Sequence, residues 1–125
     1  MGDDLLAIRQ PYWATGEHDG LWPHSIHSQA LANALIVKRG PGKLYGFQGY
    51  NSGAAQFILV LDALGVPAEG FIPCFPIYAK ATDNFSAFFG DTGRTFQTGI
   101  VLCNSATAPT KTIGAADCFF DAQYL

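Results

Sequence analysis

The sequence contains little charge, and its charges of either sign are scattered. Charged residues make up 14% of the 125-residue chain, whereas about 25% is typical of soluble domains. The seven Lys and Arg residues form no basic stripe that could follow a phosphate backbone, so nucleic acid is not an expected partner. A weakly charged surface is typical of a protein covered by neighbours, which favours a subunit of a larger assembly. The alternative is a soluble β-domain with a polar, uncharged surface.

Long hydrophobic runs are also lacking. No apolar stretch approaches the length needed to cross a bilayer, and the N-terminus carries acids where a signal peptide carries bases. We therefore expect no membrane partner, and synthesis in the cytoplasm. Cysteine is scarce and odd in number, since Cys74, Cys103 and Cys118 are the three present, each in an apolar, strand-like run. This arrangement predicts free, buried thiols and no disulfide framework.

Groups of polar residues that could perform catalysis are missing as well. Five aspartates stand at expected strand ends or turns, where bonds to local backbone explain them: Asp62, Asp83, Asp91, Asp117 and Asp121. The glycine-containing segments 40–42 and 90–93 are typical of turns, not of phosphate-binding loops. We expect no catalytic residue and no cofactor, and hydrolysis by an aspartate pair is the least favoured alternative.

All three histidines lie near the N-terminus. His24 and His27, with His18, Asp19 and Glu17 nearby, could together ligate a metal ion. A zinc site requires three or four convergent ligands on a supporting scaffold, and this segment has no evident rigidity. Solvated or packed histidines are therefore favoured, and no metal is expected.

What the chain does contain is a series of short strand-like segments. About seven or eight apolar or alternating stretches recur roughly every ten residues, separated by Gly and Pro turns. The clearest are 29–37, 44–50, 56–61, 71–79, 84–89, 95–104 and 117–125. Because no helix-length crossover separates them, parallel βαβ architecture is disfavoured. The pattern predicts an all-β fold, either an antiparallel β-sandwich or a jelly-roll-like barrel of about seven or eight strands.

The turns indicate how neighbouring strands connect. Asn51-Ser52-Gly53 predicts a hairpin between 44–50 and 56–61, after which 71–79 continues the meander. Gly40-Pro41-Gly42 predicts a second hairpin, between 29–37 and 44–50. Segment 95–104 is expected to be one strand that enters the core towards its apolar end. In the last strand, one face is expected to carry Cys118, Phe120, Ala122 and Tyr124, and the other Phe119, Asp121, Gln123 and Leu125.

Residues 1–28 show no clean alternation, and their Pro and Gly residues prevent a long helix. They predict an extended N-terminal arm, which leaves 29–125 as the β-sandwich domain. Large apolar side chains on such an arm either fold back over the sandwich or dock on a partner protein. The residues expected to anchor the partner are Tyr12, Trp13, Leu21 and Trp22.

Three strings resemble a known group of proteins. They are GKLYG at 42–46, the apolar run 56–63 followed by PAEG at 67–70, and FQTGI at 96–100 followed by a Ser/Thr-rich loop and a closing aromatic strand. Together, over roughly residues 35–125, they resemble short virion-associated proteins of tailed bacteriophages. The resemblance implies a compact β-sandwich carried on the particle, often as a head decoration or cement protein and sometimes as a tail-associated module.

On this basis we expect a structural protein of a phage virion that decorates the capsid surface and stabilises the head shell, assembled in the host cytoplasm. Its partner would be the major capsid protein, bound through the N-terminal arm and the sandwich edges. A homo-oligomer is expected, with a trimer suggested by capsid symmetry. The alternative is a tail or fibre module that binds a receptor or carbohydrate, with Tyr45, Tyr50, Asn51 and Asn84 as its candidate contacts.

Overall fold

The structure, a computed structural model, describes residues 23–125. Within this range it contains nine β-strands and no helix, so the all-β fold class is confirmed. It follows that these residues include no helix able to cross a membrane. The strands are β1 His24–His27, β2 Ala34–Lys38, β3 Gly42–Asn51, β4 Gln56–Leu61, β5 Phe75–Ala79, β6 Asp83–Phe88, β7 Arg94–Phe96, β8 Ile100–Ser105 and β9 Cys118–Tyr124.

The strands form two antiparallel sheets that pack face to face. Sheet A has the order β1-β9-β3-β6, and the short β7 pairs with one end of β3. Sheet B has the order β2-β8-β4-β5. The strand pairs are nested along the chain: the outermost pair is β1 with β9, followed inward by β2 with β8, β3 with β6 and β4 with β5. The chain is therefore one long hairpin rolled up on itself, which is the order of a jelly roll.

Both hairpins expected from the turn residues are wrong. β2 and β3 lie in different sheets, and so do β3 and β4. A turn signal shows where the chain reverses, whereas the pairing partner is decided by which apolar faces meet in the core. At the turn that follows β3, Asn51 Nδ2 donates to the Ala54 carbonyl at 2.9 Å and its Oδ1 accepts the Gly53 N–H at 3.0 Å. These bonds shape a connection that passes from one sheet to the other.

The strand after β4 does pair as a meander would require. β5 is antiparallel to β4, from Gln56 opposite Ala79 to Val60 opposite Phe75. It begins at Phe75, four residues later than expected, because residues 62–74 form a loop. That loop covers part of the outer face of sheet B.

The first described strand is the outer edge of sheet A. β1 pairs with β9, from His24 opposite Tyr124 to His27 opposite Asp121. The next residue, Ser28, donates its N–H to the Phe120 carbonyl at 2.9 Å. These residues were expected to belong to the arm, but they are part of the sandwich because β9 offers them a sheet edge. Residues 1–22 of the expected arm lie outside the described residues.

The core between the sheets is rich in phenylalanine on one side and in aliphatic residues on the other. In sheet A, Phe47, Phe96 and Phe120 are each at most 1% exposed, and burial of each such ring stabilises the fold by roughly 1.5–3 kcal/mol. Sheet B contributes Ile58, Val60, Ile100 and Leu102. The alternation expected for the last strand is confirmed, since Cys118, Phe120 and Ala122 are buried and Phe119 is exposed.

Sheet B is buried on its outer face as well. A second apolar cluster there is fully enclosed: Leu59, Leu61, Val101 and Cys103. The β4–β5 loop covers this cluster and packs Ala63 and Phe71 against it. Lys111 fastens the loop, because its Nζ donates to Glu69 Oε2 at 2.6 Å and its N–H donates to the Phe71 carbonyl at 2.8 Å. The unbroken apolar run of β4 is explained by the burial of both its faces.

A corner replaces the single strand expected over 95–104. β7 belongs to sheet A and β8 to sheet B, so the chain changes sheets at residues 97–99. The Asp62 carboxylate holds the corner: it accepts the N–H groups of Gln97 at 3.2 Å, Thr98 at 2.8 Å and Gly99 at 3.1 Å. Sequence alternation continues through such a corner, which is why it is hard to detect.

The corner also sets the ionisation of Asp62. Partial burial on its own would raise the pKa of this carboxyl group, but the three backbone N–H donors outweigh burial and hold the pKa below its ordinary value. Because the folded-state pKa is depressed, the carboxylate stabilises the fold above the unfolded-state pKa. That stabilisation is lost as the pH falls through the folded-state pKa.

We predict that Asp62→Asn lowers the free energy of unfolding by about 1–2 kcal/mol at neutral pH, because three donors lose a charged acceptor. Urea denaturation across a pH series measures the effect. The difference from the wild type should shrink as the pH falls through the depressed pKa of Asp62.

The matched control is Asp91→Asn, which removes an exposed turn carboxylate and should change stability by less than about 0.5 kcal/mol. Equal stability of Asp62→Asn and the wild type at neutral pH would show that the carboxylate does not hold the corner.

Candidate functional site

The four residues expected to anchor a partner, Tyr12, Trp13, Leu21 and Trp22, lie outside the described residues. Their anchoring role stays a prediction. The described surface has two regions with the chemistry of a binding site, one on each side of the sandwich.

The two described histidines are held by local contacts. They lie three residues apart on β1, so their side chains point to opposite faces of sheet A. The His24 ring packs 5.5 Å from the Tyr124 ring, and His27 Nδ1 lies 2.9 Å from the Ser28 carbonyl oxygen. Among residues 23–125, no three His, Cys, Asp or Glu side chains come together as a metal site would require.

The first region is the outer face of sheet A, where three neighbouring strands present two rows of side chains. One row runs across β9, β3 and β6 and consists of Phe119, Tyr50 and Asn84. The adjacent row consists of Asp121, Gln48 and Ser86. We call these six residues the sheet A face. Together they line a shallow depression of about 560 Å³.

The two rows differ in chemistry. Tyr50 is 37% exposed and Phe119 is 44% exposed, so each presents a large part of its ring to solvent. In the polar row, Gln48 Nε2 donates to Asp121 Oδ2 at 3.2 Å. Gln123, one step further along β9, donates to the same oxygen at 3.1 Å. Two amides therefore orient one carboxylate, whose Oδ1 takes part in neither bond.

Glycine shapes the layer below this face. Gly49 lies between Tyr50 and Gln48 with its α-carbon facing the core, and the Phe85 ring fills the space beneath it. A Cβ at this position would collide with the Phe85 ring and with the Phe119 carbonyl oxygen. The close approach keeps the three strands in contact under the depression.

The structure brings together two of the four residues expected to contact carbohydrate. Tyr50 and Asn84 are cross-strand neighbours in the sheet A face. Asn51 is fully buried, and Tyr45 lies at the other end of the strand beside Gly93. The residues missed were Gln48, Ser86, Phe119 and Asp121. Alternation does place Phe119 and Asp121 on the outer face of the last strand, but only the pairing of β9 with β3 places them beside Tyr50.

The second region lies over sheet B, where several large apolar side chains are exposed. They belong to the β4–β5 loop, to β5 and to the segment that Lys111 ties to the loop: Leu64 at 57%, Val66 at 45%, Ile72 at 74%, Tyr78 at 59% and Ile113 at 37% exposed. We call this set the loop patch. Large exposed apolar patches mark sites of contact with proteins or other partners, so these five side chains are the candidates for such a contact on this side of the sandwich.

A buried polar cluster joins the two sheets at the end where β3 stops and β9 begins. Gln56 Nε2 donates to Asn51 Oδ1 and to Asp117 Oδ1, both at 2.9 Å. Asn104 Nδ2 donates to the same Asp117 oxygen at 2.9 Å. Asn51 and Cys118 come from sheet A, and Gln56 and Asn104 from sheet B, so the cluster links the sheets through hydrogen bonds.

The thiol in this cluster is poorly suited to nucleophilic chemistry. Burial raises the pKa of Cys118 to about 12, and burial raises the pKa of Cys103 to about 11. Nucleophilic attack requires the thiolate, which is scarce at neutral pH when the pKa is this high. The third thiol differs from expectation: Cys74 is exposed, because it lies in the loop just before β5 and only its backbone N–H is bound, to the Val60 carbonyl at 2.7 Å.

Comparison with known protein families, with curated protein sequences and with solved structures gave no match.

The exposures of the three cysteines predict their reactivity. In the native protein, a thiol reagent such as DTNB should modify one thiol rapidly, and all three should react in denaturant. Cys74→Ser should abolish the rapid phase, whereas Cys103→Ser should leave it unchanged. Rapid modification of two or more thiols in the native protein would contradict the burial of Cys103 and Cys118.

The buried cluster predicts a strong effect at Asp117. Asp117→Ala should lower the free energy of unfolding by about 2–3 kcal/mol, because the Gln56 and Asn104 amides each lose an acceptor inside the protein. Asp121→Ala is the matched control, since it removes an outward-facing carboxylate and should cost less than about 0.5 kcal/mol. Chemical denaturation measures both. Similar losses for the two variants would show that the cluster is not what joins the sheets.

Proposed function

We propose that this protein is a structural component of a bacteriophage virion, namely a capsid decoration or cement protein that binds the major capsid protein and stabilises the head shell. The proposal begins from the resemblance of residues 35–125 to short virion-associated proteins of tailed phages. The observation that supports it further is the loop patch, whose five large apolar side chains are exposed on the sheet B side of the sandwich.

The charge distribution supports an apolar mode of attachment. Residues 23–125 carry six basic and six acidic side chains, whereas residues 1–22 carry four acidic and one basic. The net charge of −3 therefore belongs to the N-terminal segment, and the sandwich itself is neutral. With no net charge, the sandwich gains little from long-range attraction to a charged partner, which favours docking through apolar surface.

The N-terminal segment would supply the second contact. Tyr12, Trp13, Leu21 and Trp22 are the kinds of residue that dominate binding energy when they enter pockets on a partner. β1 ties the segment that follows them to the edge of sheet A. A load on an anchored arm is therefore passed to the β1–β9 ladder and from there to the whole sandwich.

Stabilisation of the shell would follow from bridging. A protein that contacts two capsid subunits through an arm and a loop patch raises the free energy needed to separate them. Many copies on a symmetric shell allow modest individual affinities to act together, and association of this chain into a trimer at a symmetry site would add to the effect.

The proposal predicts separate losses from each contact. Particles prepared without this protein are mixed with the purified full-length chain, and the bound protein is measured after gradient sedimentation. Substitution of all four arm residues by Ala should reduce binding at least about tenfold, the effect of losing more than 1.4 kcal/mol. Leu64→Asp combined with Ile72→Asp should do the same, since burial of a carboxylate in an apolar contact is costly.

The matched control is Phe119→Asp, which places the same charge at an exposed apolar residue of β9, an inner strand of sheet A, and should leave particle binding unchanged. Quantitative mass spectrometry of purified virions should find hundreds of copies per particle. A handful of copies would favour a tail location. Wild-type binding by both the fourfold arm variant and the Leu64→Asp, Ile72→Asp variant would contradict attachment through these two contacts.

A further inference from the structure

We infer that the sheet A face is a binding site for an uncharged saccharide. Its aromatic row would contact the C–H faces of sugar rings, and its polar row would bind their hydroxyl groups. This inference does not depend on capsid attachment, because it uses the side of the sandwich opposite the loop patch.

The dimensions of the face suit a small saccharide. Paired strands lie about 4.8 Å apart, and residues on one face of a strand repeat about every 6.7 Å. Three strands and two rows therefore define a platform of roughly 10 by 7 Å. That area matches one or two linked sugar rings and is much smaller than a protein interface.

The platform is rigid before any ligand arrives. β3 is hydrogen-bonded to β9 on one side and to β6 on the other, so Tyr50 and Gln48 are placed by ladders on both flanks. Phe85 supports the sheet from below, packed 6.4 Å from the Phe47 ring and 5.9 Å from the Phe120 ring. Preorganised contacts spend less binding energy on ordering side chains, which matters most for weakly binding ligands.

The aromatic row supplies the apolar contact. Tyr50 and Phe119 are directly opposite each other in the β3–β9 ladder, so their rings occupy adjacent places on one surface. A sugar ring has an apolar face of C–H groups and a rim of hydroxyls, which complements a ring surface bordered by polar groups.

The polar row supplies donors and acceptors for the hydroxyls. The side-chain amides of Gln48 and Gln123 both donate to Asp121 Oδ2. Asp121 Oδ1 and the side-chain oxygen of Gln48, Oε1, take part in neither bond. The Asn84 amide adds donors and an acceptor, and the Ser86 hydroxyl adds one of each. A sugar hydroxyl both donates and accepts, so it can use this mixture fully.

The charge of the face argues against other ligands. A nucleic acid or a phosphorylated ligand requires cationic side chains, and the six residues of the face include none and carry one carboxylate. The buried core of a protein interface is about 65% apolar, whereas four of these six side chains are polar. An uncharged saccharide is the class of ligand that uses both rows.

The test is an NMR titration of the ¹⁵N-labelled full-length chain with cellobiose, maltose, lactose and N,N′-diacetylchitobiose. At least one disaccharide should shift amide signals of β3, β6 and β9 with millimolar affinity or better. Tyr50→Ala and Phe119→Ala should each weaken that binding at least about tenfold, while Tyr50→Phe, which keeps the ring, should stay within about threefold. Tyr78→Ala removes a more exposed tyrosine, 59% against 37% for Tyr50, from the outer face of sheet B and should change nothing.

Three results would overturn the inference. The first is the absence of shifts with all four disaccharides at tens of millimolar. The second is shifts that map to other strands or survive Tyr50→Ala. The third is loss of particle binding in Tyr50→Ala without any saccharide shift, which would make the face a protein contact. Loss of particle binding in the arm and loop-patch variants tests the capsid proposal alone, so the two proposals can fail separately.

Discussion

The pairing of β3 with β9 is the interaction on which the rest of the structure depends. These strands are separated by more than sixty residues, yet they are paired from Leu44 opposite Tyr124 to Asn51 opposite Cys118. This ladder closes the roll and places Phe47 and Phe120 in the core. Because side chains alternate, a slip of one residue would exchange the inner and outer faces of the strand, turning Gln48 and Tyr50 inward and Phe47 outward. The core and the sheet A face therefore share one register.

The buried polar cluster explains how that register is held. Asn51 and Cys118 are the last pair of the ladder, and the hydrogen bonds of Gln56 and Asn104 connect this pair to sheet B through Asp117. Apolar contacts tolerate small displacements, whereas an amide inside a protein is satisfied in few positions only. The cluster converts a non-directional apolar core into one with a defined alignment of the two sheets. An arrangement of this kind is structural, and it leaves binding chemistry to the outer surfaces.

The two sheets use their outer faces differently because only one of them is covered. The β4–β5 loop hides the apolar cluster of sheet B and is fastened by the ion pair of Lys111 with Glu69. The backbone N–H of Ile113 also donates to Glu69 Oε1 at 2.9 Å and strengthens the attachment of the loop. The hydrogen bonds from Lys111 and Ile113 hold the pKa of Glu69 below its ordinary value. Nothing in the described part of the chain covers the sheet A face. The molecule thus has an apolar side formed by a loop and a mixed aromatic and polar side formed by strands.

The sequence predicted the elements of the fold better than their connections. Alternation located the strands near residues 44–50, 56–61 and 117–125, and in the last of these it separated Phe120 from Phe119 correctly. It did not reveal that the chain changes sheets at residues 97–99, because the corner depends on a carboxylate 35 residues earlier, that of Asp62. Tyr50 and Asn84 could be proposed as binding residues from their types alone. Asp121 could not be placed beside them, because that requires knowing that β9 pairs with β3. Local pattern specifies faces, and long-range pairing specifies neighbours.

This difference bears on how the two proposed activities could coexist. An attachment surface must tolerate the geometry of a large partner, and a fastened loop can adjust its apolar side chains without disturbing the sandwich. A saccharide site needs fixed spacing between rings and hydrogen-bonding groups, which strands paired on both sides supply better than loops. The fold places the adjustable surface over sheet B and the rigid surface on sheet A, with the core between them. A particle-bound copy held by the loop patch would therefore present the sheet A face outward, towards solvent and the surfaces that the particle meets.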